Sequence, residues 1–254
     1  MIWVLLITMV IKMIVGPDEI FNVPKLKKEI KTHVSDEGRR DSLLLIVKDA
    51  KKEIKAFNKV NEKDKKKMKK LMSSGENELN AIELLLKENF EKRRKQQSYN
   101  LDKRLAMQNL MTDEEWKNVI ERAVSPSEKA EKKANKRDDK FDESIDKLMK
   151  ATEKTISKKV EDSARKEKVM SAFHKFSSAL KTQVEDGLEI DYQNNKIVGK
   201  RTATREELQG IYTNQNEFRQ NVYDEFISMY NVIYENTSGS ERKAIRKELK
   251  KMFK

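Results

Sequence analysis

The sequence predicts an all-α protein, an elongated helical bundle of coiled-coil hairpins. Only seven glycines and three prolines punctuate the 254 residues, so there are few natural breaks for anything but long helices. Apolar residues recur at steps of three and four, the spacing that places them on one helix face. Five boxes of the form Ser/Thr-x-x-Glu mark helix starts: Ser73 to Glu76, Thr112 to Glu115, Ser125 to Glu128 with Pro126 at the favoured first position, Thr204 to Glu207 and Ser238 to Glu241. In each, a hydroxyl accepts from the third helical N–H and the glutamate answers back. Charged residues make up 39% of the chain against 37% hydrophobic, so each helix buries only a stripe and a thick globular core is excluded.

The opening "MIWVLLITMVIKMIVGPDE" predicts a membrane anchor over residues 1–16. Trp3, Val4, Leu5, Leu6, Ile7, Val10, Ile11 and Ile14 run around the whole helix rather than along one stripe. Such a helix reaches about 22 Å, short of the roughly 30 Å of a hydrocarbon layer, so Trp3 at one interface and the snorkelling Lys12 near the other must help. Neither a basic leader nor a small-x-small cleavage site is present, which favours an uncleaved signal-anchor. Residues 17–34 then read as a juxtamembrane linker. Lys25, Lys27, Lys28 and Lys31 favour a cytoplasmic body, whereas the absence of cysteine suits an exported one. The expectation is a single-pass membrane protein with an extracytoplasmic body.

Residues 35–125 predict a helical hairpin with a short capping helix. Its first helix, about 35–72, carries a seam of Leu43, Val47, Ala50, Ile54, Phe57, Asn61, Asp64, Met68 and Leu71, in which Asn61 could set register or partner number but the polar surroundings favour a seam that opens. The second shows Leu79, Ile82, Leu86 and Phe90, then "EKRRKQQS", a stretch polar on every side that reads as projecting into solvent or breaking, before Leu101 and Leu105 resume the pattern. "DEEWKNVIERAV" follows, with Trp116, Val119, Ile120 and Val124 on one face.

Residues 126–254 predict a long helix, a turn, a second helix and a basic C-terminal helix. The long helix is expected from Pro126 to about Asp186, with Phe141, Ile145, Leu148, Ile156, Val160, Phe173, Leu180 and Val184 on its seam. In "LEIDYQNNKIVGKRTA" the residues Leu188, Ile190 and Tyr192 alternate before Asn194 and Asn195, so a small β-hairpin near 188–199 competes with a plain loop. The next helix carries Leu208, Ile211, Gln215, Phe218, Val222, Phe226, Met229 and Ile233. In "ERKAIRKELKKMFK" the face of Ile245, Leu249, Met252 and Phe253 opposes a dense basic set.

Chemistry is sparse. The chain has no phosphate-binding glycine loop, dinucleotide fingerprint, nucleophile elbow or zincin helix, so no enzyme activity, cofactor or small-molecule substrate is expected. Without cysteine there is no disulfide, thiol catalysis or thiolate metal site. His33 stands four residues from Glu29 and from Glu37, the spacing of helix ion pairs, and no metal site is expected. Asp138 with Asp139, and Glu206 with Glu207, read as helix surface or caps. The net charge of +12 is carried largely by lysine without an arginine and aromatic cluster, which argues against a nucleic-acid reader.

Five of the six tyrosines fall between Tyr192 and Tyr234. Tyr212, Tyr223, Tyr230 and Tyr234 form a candidate partner surface, since tyrosine offers contact area with a polar tip. The functional expectation is a membrane-tethered, non-enzymatic helical protein that binds other proteins or itself through its seams, as a scaffold or holdase-like chaperone. The alternative is a basic protein on the cytosolic face that binds anionic lipid or nucleic acid.

Overall fold

A computed structural model describes residues 17–23, 25–71, 78–121, 146–147 and 149–249. The protein is all-α, with no strand among the described residues. A 3-10 turn at Pro17–Asn22 leads to α1 (Leu26–His33), α2 (Glu37–Leu71) and α3 (Leu79–Leu110). The short α4 (Asp113–Trp116) continues as a π turn, Lys117–Glu121. Then come α5 (residues 149–159), α6 (Ser163–Gly199), α7 (Arg205–Asn236) and α8 (Gly239–Leu249).

The order of elements repeats. Asp36 accepts the Arg39 N–H at 2.7 Å to start α2, and Asp162 accepts the Arg165 N–H at 2.8 Å to start α6. These residues stand 126 positions apart. The same offset takes α3 to α7, both 32 residues long, and carries the Thr112–Glu115 box to the Ser238–Glu241 box. Even the α1 stop, the Val34 N–H on the Ile30 carbonyl, recurs as the Val160 N–H on the Ile156 carbonyl, both at 3.0 Å. The chain therefore folds as two copies of one unit: short helix, long hairpin, capping box, short helix.

Each copy is closed at its base by the same clamp. Arg39 donates to both oxygens of Glu115 (2.7 and 3.0 Å) and to the Leu110 carbonyl at the end of α3 (3.0 Å). Arg165 does the same to Glu241 (3.0 and 3.4 Å) and to the Asn236 carbonyl at the end of α7 (3.3 Å). One guanidinium thus fixes the start of the hairpin to its end and satisfies a carbonyl that the helix leaves orphaned. Burial alone would raise the Glu115 carboxyl, but the Arg39 and Thr112 hydrogen bonds win and hold it below the usual range. At Glu241 the Ser238 N–H leads, and with Arg165 it holds the carboxyl down at about 2.

The two copies pack antiparallel through α3 and α7. Ile82 and Leu85, early in α3, share a core with Val222, Phe226, Met229 and Ile233, late in α7. Leu101 and Met107, late in α3, share the other with Leu208, Ile211 and Tyr212, early in α7. Each hairpin tip therefore completes the base of the other copy. At the first base Arg104 of α3, fully buried, donates to the carbonyls of Val198 (3.0 Å) and Lys200 (2.8 Å), while Trp116 Nε1 donates to the Gly199 carbonyl at 2.7 Å. Burial pushes the Arg104 guanidinium down to about 10, so it stays charged at neutral pH and sits at the negative end of α6.

Several expectations change. Residues 188–199, read as a hairpin or loop, are helix to Gly199; Arg104 and Trp116 supply the end carbonyls with partners that no local pattern could announce. The helix expected from Pro126 to Asp186 breaks at Val160 to Asp162, because Asp162 caps a new start. The α2 seam does not open at its polar residues: Asn89 donates to Asn61 at 2.9 Å and to Asp64 at 3.1 Å. Residues 17–34 are no linker, since Ile20, Phe21, Val23, Leu26, Ile30 and Val34 are all in the core.

The single-pass membrane reading is contradicted. Among the described residues no helix is long and apolar enough to cross a membrane; every long helix here carries charge within each few turns. The anchor residues Trp3 to Ile14 lie outside the described residues, as do Phe141, Ile145 and Leu148.

Candidate protein-binding groove

The stretch "EKRRKQQS", expected in solvent or at a break, lies inside α3 where it crosses α7. Arg93, Gln97 and Asn100 are buried there, and so are Gln215, Asn216 and Arg219 of α7. Asn216 Nδ2 donates to Gln97 Oε1 at 2.8 Å, and its Oδ1 accepts from Arg219 at 3.3 Å. The Arg93 guanidinium lies 5.3 Å from the Phe57 ring centroid, a cation–π contact. Buried polar groups persist only when such partners exist. The crossing is held by a matched polar layer that a single helix cannot display.

Beside this layer runs a groove of about 430 Å³ between the first half of α3 and the second half of α7. Leu86, Phe90, Tyr223 and Ile227 supply its apolar lining. Glu83, Lys87 and Arg94 from one helix and Asp224 from the other edge it with both signs of charge. Leu86, Phe90 and Ile227 are only partly buried. Leu84, 56% exposed, stands next to the rim on α3. Its size falls within the roughly 300–1,000 Å³ of ordinary ligand sites.

The 126-residue offset relates this groove to one in the other half. Leu86 corresponds to Tyr212, Phe90 to Asn216, Tyr223 to Gln97 and Ile227 to Leu101. There Leu101 and Tyr212 are sealed, 0% and 1% exposed. The Pro17–Asn22 turn lies against α3 and α7 on that side and adds Ile20 and Phe21, both 0% exposed, to the same core. Two equivalent surfaces thus differ in cover among the described residues.

The four tyrosines do not form one surface. Tyr212 lies in the first core and Tyr230 in the second, both buried. Tyr234 is half-buried beneath Arg242, whose guanidinium carbon is 3.8 Å from the ring centroid. Tyr223 alone lines the groove. Its partners Leu86, Phe90 and Ile227 went unremarked as site residues; the signal for them was the repeat, visible in "VSDEGR" at 34 and "VEDSAR" at 160.

The rest of the molecule offers little other chemistry. His33 pairs with Glu29 at 3.5 Å and His174 with Glu153 at 3.0 Å. Among the described residues no group of three or more His, Cys, Asp or Glu is placed to hold a metal ion. Ile245 is fully buried in the second core, so the described part of the basic C-terminal helix docks onto the bundle. No protein-family model, curated protein or solved structure matches the chain.

Proposed function

We propose that this is a non-enzymatic helical protein that binds other proteins through the α3–α7 groove. One observation carries the reading. Leu86 and Ile227 stand partly exposed at positions whose counterparts, Tyr212 and Leu101, are buried in one core with the chain's own turn. An apolar surface that the described residues cover once and leave partly open once is suited to a cover from another molecule. The long hairpins and paired bases give that surface a rigid mount, as a scaffold requires.

Photo-crosslinking amino acids at position 86 or 227 test this, with position 45 on α2 as the control, since Leu45 is 56% exposed and outside the groove lining. The groove positions should trap the same discrete protein in cells, and the control should not. That protein, purified and identified by mass, should bind the full chain and lose affinity on Ile227→Asp. Equal trapping from position 45, or rebinding indifferent to Ile227→Asp, contradicts the proposal.

A further inference from the structure

We infer that the groove accepts a short helical turn with adjacent aliphatic and aromatic side chains, presented by a partner protein. This rests on the protein-binding reading above and names what kind of segment is bound. The chain itself supplies the argument. In the first half the same core takes in a single 3-10 turn, Pro17–Asn22, which buries the neighbours Ile20 and Phe21.

In the second half the offset brings Asp146 and Lys147 to the positions of that pair. Asp146 is held at 2.5 Å by the Lys181 ammonium of α6, and Lys147 is exposed. A carboxylate and an ammonium cannot seal an apolar groove without losing their hydration. At these two positions the second copy therefore keeps the seat without the apolar pair.

The seat is also more apolar than its counterpart. Where the first half carries Gln97 and Asn216, joined by a hydrogen bond of 2.8 Å, the second carries Tyr223 and Phe90. Amide groups that satisfy each other leave a closed polar surface. Two aromatic rings leave edges and faces that a third ring can meet. The rim mixes Glu83 and Asp224 with Lys87 and Arg94, so the groove does not select a partner by one sign of charge. An aliphatic and aromatic pair on one turn is the feature it selects.

The probe is a fluorescein-labelled peptide of the chain's own plug, PDEIFNVPKL, titrated into the full-length protein and read by anisotropy. Saturable binding is expected. Replacing both Ile and Phe of the peptide by Ala should weaken it by at least about tenfold, and so should Ile227→Asp or Leu86→Glu in the protein, with helicity by circular dichroism unchanged. Leu45→Asp should leave binding as it was. A peptide carrying a photoreactive phenylalanine at the Phe21 position should label α3 and α7 at the groove. No binding, or binding equally strong from the Ala peptide, overturns the inference. If the peptide fails while crosslinks from positions 86 and 227 still identify a partner, the protein-binding reading stands and only the occupant is wrong; if both fail, both are wrong.

Discussion

The two halves of the molecule are built on one plan and finished with different chemistry. Their clamps are alike, Arg39 on Glu115 and Arg165 on Glu241. Their bases are not. In the first, the cation comes from α3 and the aromatic from the capping helix, with Arg104 5.0 Å from the Trp116 ring centroid. In the second, the same positions hold Tyr230 on α7 and Arg242 on α8. The contacts there are Arg242 with Tyr234 at 3.8 Å and Arg246 with Tyr230 at 5.6 Å. Cation and ring have changed places, so the pairing of a cation with an aromatic survives while the residue that provides each does not. The grooves diverge further: one is buried in a core that Ile20 and Phe21 share, and among the described residues the other is partly exposed.

The largest expected effect separates the grooves. Leu101→Asp puts a carboxylate into a sealed core and should destabilise by about 4 kcal/mol or more, abolishing the cooperative thermal transition. Its counterpart Ile227→Asp meets the open groove and should cost within about 1 kcal/mol. Thermal melts of the two variants decide this, and similar losses at both would erase the distinction.

Next comes the base. Trp116→Ala empties a fully buried position and removes the hydrogen bond to the Gly199 carbonyl, so a loss of about 3–5 kcal/mol is expected. Denaturant midpoints with an unchanged slope should show it. Hydrogen exchange should report the greatest added opening near Val198 to Ala203, in the other copy's tip, rather than only around residue 116.

A smaller effect concerns the second clamp. Glu241 has its folded-state pKa held at about 2, below the usual carboxylate value, by the Ser238 N–H and hydroxyl and by Arg165. Its contribution is then fully present above the usual value and is lost as pH falls toward 2. Glu241→Gln should therefore lower stability at neutral pH while flattening the acid limb of a stability profile. An acid limb as steep as in the unmodified chain would show that the clamp does not hold the carboxylate.

How much of this was legible follows from where each signal sits. The all-α class was, because glycine, proline and apolar spacing are local properties, and the boxes at Thr112, Thr204 and Ser238 cap helices as their residues announce. The start at Asp162 was missed because a lone aspartate cap lacks the answering glutamate. "EKRRKQQS" misled because Gln97 is buried only through Asn216, which is 119 residues away. The repeat was present in the letters, since Asp36, Arg39, Thr112 and Glu115 return as Asp162, Arg165, Ser238 and Glu241. Most core positions change identity between copies, Leu43 to Val169 and Ala50 to Phe176 among them, and that conceals it. The groove was not legible in one half alone. Leu86 and Leu101 both read as seam residues, and the difference between them lies in distant residues, Ile20 and Phe21 in the core with Leu101 against Asp146 and Lys147 at the equivalent positions.

That last contrast is the centre of the account, and a chain without cysteine allows it to be measured directly. Single cysteines at positions 227 and 101, or at their companions 86 and 212, can be challenged with a thiol reagent under native conditions. Ile227→Cys and Leu86→Cys should react at least about a hundredfold faster than Leu101→Cys and Tyr212→Cys, whose labelling waits for unfolding. Equal rates across the equivalent pairs would contradict it.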